Sequence, residues 1–155
     1  AALAESFARF LMLAPHEIEA ARLTGLVHDA GMRLLDYGRL YRKADLSQEE
    51  LGFLREHPAV GAAMVEPLLG SEIARAVLCH PERVDGRGYP NELRGDEIPL
   101  LGRLVQICDA WVAITDAASY QPSESPEAAI ASISNAAGSQ FDAELAGRFV
   151  EMVRR

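Results

Sequence analysis

Three histidines and two aspartates carry the sharpest chemical signal in the sequence. His28 and Asp29 are adjacent and follow TGLV, His57 precedes Pro58, His80 precedes Pro81, and Asp109 interrupts the apolar run LVQICDAWVAI. Of the four histidines, only His16 lies outside such a setting. Polar side chains in apolar stretches are informative because burying them without partners costs free energy. Imidazole nitrogens and short carboxylates suit a borderline or hard divalent ion such as Mn, Fe, Ni or Zn, and one carboxylate can bridge two ions. An ion so held activates water and neutralises a phosphate oxygen, which are the needs of phosphodiester hydrolysis. The competing reading makes each residue a hydrogen-bonded core group, the commoner fate of a lone His or Asp on an apolar helix. Five of them, including an adjacent pair, shift the balance toward a shared site.

The elements that must position these residues are helices. Apolar residues recur at helical spacing nearly everywhere, and no stretch alternates long enough for a convincing strand, so an all-α chain is expected. Residues 2 to 13 place Leu3, Phe7, Phe10 and Leu11 on one face. Pro15 fits the first turn of a second helix running to His28 and Asp29, with Gly31 loosening its end. Ser47 and Glu50 form a capping box, and Leu46 with Leu51 the accompanying hydrophobic staple. Pro58 is expected to break or kink that helix at His57, a second segment then running to Gly70. Residues 71 to 80 form a helix with His80 at its end. Three glycines and three prolines make the following run, PERVDGRGYPNELRGDEIP, an irregular and functional loop. A central, almost uniformly apolar helix spans roughly 99 to 117, and two shorter helices start at Ser125–Pro126 and at Asp142.

Composition narrows the partners. The 155 residues include 15 Lys plus Arg against 23 Asp plus Glu, a formal charge of −8, which excludes a generic grip on a nucleic-acid polymer. A small anion could still bind at a local metal or arginine site. Hydrophobic residues make up 49% of the chain without a run long enough to span a membrane, so one compact domain with no membrane contact is expected. Cys79 and Cys108 stand in no metal or disulfide spacing, read as small apolar core residues and point to a reducing cytoplasm. The opening AALAESFARFLMLA lacks the basic start of a signal peptide, and the missing initiator Met reads as a piece cut from a longer chain.

The order of motifs goes further. LVHDAG at 26–31, HPAVG at 57–61, HPERVDGRGYP at 80–90, GDEIPLLGRLVQICDAWVAITD at 95–116 and AGSQFD at 137–142 together resemble the HD-GYP family of the HD superfamily of metal-dependent phosphohydrolases. The likeness covers nearly the whole chain, 1–155, in one collinear order. It implies a helical bundle of about five core helices plus two C-terminal ones, a centre of two or three divalent metal ions, and hydrolysis of the bacterial second messenger cyclic di-GMP by the output domain of a sensor or response regulator. By the same resemblance His28, Asp29, His57, His80 and Asp109 are metal ligands, with Asp29 bridging two ions and acting catalytically. Gly88, Tyr89 and Pro90 match the GYP signature beside the active site, which is linked to partner docking. Arg103 matches a family arginine, and its alternative role is an ion pair with Asp96 or Glu97. Cyclic di-GMP or a related small nucleotide, a diguanylate cyclase and a second copy of the chain are the expected partners.

Departures from the family pattern are specific. Met32 replaces a lysine expected to hold a phosphate, and Pro81 stands where a second histidine ligand belongs. Val112 replaces a second aspartate, Ala118 an arginine, and the family's first ligand histidine would precede Ala1. Glu82 remains as a donor near Pro81, at a spacing unlike that of the missing histidine. One or two ions remain holdable. Two functions follow: a cyclic di-GMP phosphodiesterase with an altered centre, or a catalytically degenerate module acting by docking.

Overall fold

The computed structural model describes residues 1–34, 47–116 and 123–155. Among them are six helices and no strand: α1 (Ala2–Phe10), α2 (Pro15–Val27), α3 (Gln48–Cys79), α4 (Leu100–Thr115), α5 (Pro126–Ala136) and α6 (Ala143–Val153). Short 3-10 turns occupy Ala30–Leu34 and Gly95–Glu97. Helix α3 bends at Gly70, where φ is 84° in the left-handed region that favours glycine, so the bundle has five core segments and two C-terminal helices, as expected. No described helix is long and apolar enough to cross a membrane.

Capping sets most boundaries. The Ser47 hydroxyl accepts from Glu50 N–H at 3.2 Å, while the Glu50 carboxylate accepts from Ser47 N–H at 2.8 Å. Leu46 of the expected staple lies outside the described residues. Ser125 and Asp142 cap α5 and α6 by accepting from Ala128 and Leu145 N–H. Helix α1 is shorter than its apolar pattern, because the chain turns through Met12 at φ 57° before Pro15 opens α2.

Two expectations need correction. Pro58 does not break its helix; hydrogen bonding runs on through Pro58 and Pro67, and the break falls at Gly70 instead. Proline removes one donor, and here a side chain replaces it, as described below. Nor does Gly31 loosen the end of α2, which stops earlier at Val27. Gly31 is buried against α3, where a Cβ would lie 2.0 Å from the His57 carbonyl oxygen and 2.7 Å from Gly61 N. That close approach locks the turn after Asp29 onto the segment carrying His57.

Helix α4 is the axis of the bundle and touches every other helix. Leu101, Leu104, Val105, Ile107 and Cys108 are buried on it, with Phe7 of α1 and Phe149 of α6 filling the core beside Trp111. Asp109 thus sits on a rigid element, at the edge of the core.

Candidate metal centre

The histidines reach the site by one repeated local device. His28 caps the C-terminus of α2, His80 caps that of α3, and His57 lies within α3. Each imidazole turns its Nδ1 back to the carbonyl three residues earlier: His28 to Gly25 at 3.3 Å, His57 to Leu54 at 2.6 Å and His80 to Val77 at 2.7 Å. In the last two cases the next residue is proline. Pro58 and Pro81 have no N–H to give the carbonyls four residues back, Leu54 and Val77, so the imidazole Nδ1–H donates to them. This compensates the helix at Pro58 and fixes the tautomer, leaving each Nε2 with its lone pair toward the site.

The Nε2 atoms then converge. Those of His57 and His80 are 3.3 Å apart. Asp29 Oδ1 stands 3.5 Å from His57 Nε2 and 3.9 Å from His80 Nε2, and its Oδ2 lies 3.5 Å from His28 Nε2. His28 Nε2 is also 3.3 Å from Asp109 Oδ1. The ligand atoms of Asp29, His57 and His80 all fall within 4.8 Å of one another. Tetrahedral ligands held at about 2.1 Å from one ion are about 3.4 Å apart, so these spacings fit an ion between them. Asp29 directs one oxygen to His57 and His80 and the other to His28, the disposition a bridging carboxylate needs. All five expected ligand residues are brought together.

Electrostatics prepare the imidazoles unequally. Burial, reinforced by the neighbouring His28 charge, pushes His80 down to about 3, so it is neutral at physiological pH. His28 is also buried, which disfavours its charged form, but the hydrogen bond to Asp109 and the nearby Asp29 outweigh this and raise its pKa. Burial of Asp109 works against its ionised form, and the His28 hydrogen bond with the surrounding imidazoles outweighs it, holding the carboxyl below its usual range. Asp29 and Asp109 side chains stay about half exposed, at 52% and 49%, so the centre opens to solvent on its carboxylate side. Cys79 and Cys108 are buried, and burial pushes both thiols up, away from a ligating thiolate.

The GYP loop borders the cluster. The Tyr89 ring stands 6.4 Å from that of His57, and a Cβ on Gly88 would lie 2.4 Å from Glu82 Cα, so only glycine fits there. Glu82 is no substitute ligand. It is fully buried, and its carboxylate accepts from Asn91 N–H at 2.7 Å and Leu93 N–H at 3.1 Å, clasping the loop after the Tyr89–Pro90 bond. Gln106 of α4 donates to the Glu82 carbonyl and ties this clasp to the central helix. Sequence reasoning missed both the clasp and the proline device, although the repeated His-Pro pair was a visible signal for the second. Arg103 bridges Asp96 at 2.9 Å and Asp142 at 2.8 Å, the ion-pair alternative in the case of Asp96. Val112, one turn beyond Asp109, is 43% exposed, and Ala118 lies outside the described residues.

An all-helical bundle that gathers an adjacent His–Asp pair, two further histidines and a distant aspartate has the features of an HD domain. The chain belongs to the HD domain family, whose model matches residues 1–145. It is similar to a cyclic di-GMP phosphodiesterase of Vibrio cholerae, 35% identical over 161 residues that cover 96% of this chain and 33% of the relative. A cyclic di-GMP phosphodiesterase of Pseudomonas aeruginosa is 33% identical over 98% of this chain and 37% of its own length. A 3'3'-cGAMP-specific phosphodiesterase of Vibrio cholerae is 32% identical over 81% of this chain and 29% of its own. The chain spans about a third of the length of these relatives. Among solved structures, a cyclic GMP-AMP specific phosphodiesterase of Vibrio cholerae superposes with a TM-score of 0.73 at 18% identity, over 99% of this chain and 42% of that one, which supports the fold.

Proposed function

We propose that this chain is a metal-dependent phosphodiesterase domain that hydrolyses cyclic di-GMP, or a related cyclic dinucleotide, to the linear dinucleotide or GMP. The observation that carries this reading is the 3.3 Å approach of two imidazole Nε2 atoms whose Nδ1 protons are both committed elsewhere. Two facing lone pairs repel unless a cation lies between them, and Asp29 supplies the adjoining carboxylate. His28, Asp29, His57, His80 and Asp109 would hold one or two divalent ions, of Fe, Mn, Ni or Zn. A bound ion supplies Lewis acidity and lowers the pKa of water to near neutrality.

The protein's own groups perform the rest. His57 and His80, locked by backbone carbonyls, keep the donor set at fixed spacing. Asp29, half exposed, accepts the proton of the attacking water. The water oxygen bonds to phosphorus, the phosphorus–oxygen ester bond breaks, and the proton held on Asp29 passes to the departing sugar oxygen. Gly88, Tyr89 and Pro90 are proposed to shape the substrate side, Gly88 and Glu82 by fixing the loop that presents Tyr89. The names of the related phosphodiesterases support the substrate class. The test is metal content together with cyclic di-GMP hydrolysis under added Mn or Fe; metal-free protein that neither binds nor cleaves the nucleotide would overturn the proposal.

A second reading rests on Met32, Pro81 and Ala118, which stand where the resemblance expects two phosphate-binding cations and a histidine ligand. In it the domain docks a partner such as a diguanylate cyclase through the loop bearing Tyr89, or passes on a signal from an upstream sensor domain. Loss of partner binding on Tyr89→Ala is its required result, and unchanged binding rejects it.

A further inference from the structure

A cyclic dinucleotide carries two phosphodiester groups. Hydrolysis requires one of them at the metal centre, and the other must find a cation in a chain of net charge −8 that has Met32 at the position of an expected lysine. Two arginines of the loop that follows His80 are already committed. Arg83 is paired with Asp85 through contacts of 3.0 and 2.7 Å, and Arg94 donates to the Asp85 carbonyl at 2.9 Å. Arg55 differs. It is exposed, lies two residues before His57, and holds its guanidinium carbon 5.8 Å from the centre of the Tyr89 ring. That ring also neighbours His57, so a single aromatic side chain links guanidinium and imidazole.

We propose that Arg55, held over Tyr89 beside His57, binds the second, non-reacting phosphate of a cyclic dinucleotide; this rests on the phosphodiesterase reading above. An aromatic face attracts a guanidinium and limits its motion while leaving its N–H edge free. That edge matches two phosphate oxygens, which a lysine ammonium does not do in the same planar way. Tyr89 thereby gains a defined role, orienting the arginine from a loop that Glu82 and Gly88 fix in place. The pairing also restores near His57 a positive charge that Met32 does not provide.

The test compares the parent chain, Arg55→Ala and Arg55→Lys, each loaded with Mn, by calorimetric binding of cyclic di-GMP and of GMP. GMP has one phosphate, which the metal centre takes, so it reports on the centre without the second contact. Arg55→Ala is expected to weaken cyclic di-GMP about 10- to 100-fold. GMP binding and thermal stability stay within about twofold and about 1 °C of the parent, since Arg55 is exposed and surface changes of this kind are small. Arg55→Lys falls between, and added salt narrows the difference between parent and alanine variant. A parent that binds cyclic di-GMP with an alanine variant that binds it equally well overturns the Arg55 assignment alone. Equal weakening of GMP and cyclic di-GMP also overturns it, because the contact is then not to the second phosphate. A metal-loaded parent that binds neither nucleotide overturns this assignment together with the proposed function.

Discussion

Gly31→Ala is the substitution that probes most directly how the fold holds the centre together. The added Cβ would stand 2.0 Å from the His57 carbonyl oxygen, 2.7 Å from Gly61 N and 2.9 Å from the His57 carbonyl carbon. All three are backbone atoms, so no side chain can swing aside. Contacts below about 3 Å do not occur for a real Cβ, so the turn must retreat from α3 by about 1 Å. Overpacking of this kind costs typically 1–3 kcal/mol, and here the upper end applies because backbone meets backbone. Asp29 lies two residues before Gly31, so the retreat also opens the 3.5 Å separation between Asp29 and His57 Nε2. Metal ligands tolerate only about 0.2 Å of misplacement, and metal affinity should therefore fall by far more than stability alone explains. The assay is chemical denaturation of the metal-free protein alongside Mn or Zn titration. Gly147→Ala is the control, because nothing lies within 4 Å of its would-be Cβ on α6, and it should stabilise the chain by about 0.5–1 kcal/mol. A Gly31→Ala protein with parental stability and metal affinity would refute the close-approach argument.

Other expectations follow from single contacts. Pro58→Ala restores an N–H that competes with His57 Nδ1 for the Leu54 carbonyl, so it should leave helix content intact yet lower metal affinity about 10- to 100-fold, as measured by competitive metal titration; undiminished affinity would count against the proline device. Glu82→Gln presents an amide to two N–H donors and should destabilise by about 1–3 kcal/mol and admit protease into residues 81–99 while the metal ligands stay in place; a protease-resistant loop would contradict the clasp. His80, pushed down to about 3 chiefly by burial, makes the metal-free protein acid-sensitive in a definite direction. Its unfolded form takes a proton as pH falls below about 6.5, while the folded form does not until about 3, so stability is complete above that window and falls through it by up to about 1.4 kcal/mol per pH unit. His80→Gln should flatten the denaturation midpoint against pH in that range, and an unchanged slope would reject the assignment.

The helices were legible because apolar periodicity and side-chain caps are local signals: Ser47 with Glu50, Ser125 and Asp142 each mark a start that the structure contains. The convergence of His28, Asp29, His57, His80 and Asp109 was legible through residue type and motif order, since His28 and His80 each stand at the end of a helix. Pro58 misled for a physical reason. Its lost donor is replaced by the adjacent imidazole, and a rule written for the backbone alone does not include that donor. Gly31 misled because its role is set by α3, a segment it meets only in three dimensions. Glu82 looked like a spare ligand, and only the path of the loop shows that both its oxygens are used by Asn91 and Leu93.

The imidazole–carboxylate cluster is proposed above all as a metal centre that cleaves a cyclic dinucleotide. The most direct measurement is metal stoichiometry of the purified chain and of His80→Gln, each assayed for cyclic di-GMP hydrolysis after loading with Mn or Fe. A metal centre of this kind predicts one or two ions per chain, a linear or mononucleotide product from the parent, and loss of both metal and product in the variant. Parent protein that takes up no metal and leaves the nucleotide intact, or a His80→Gln variant that retains both, would contradict it.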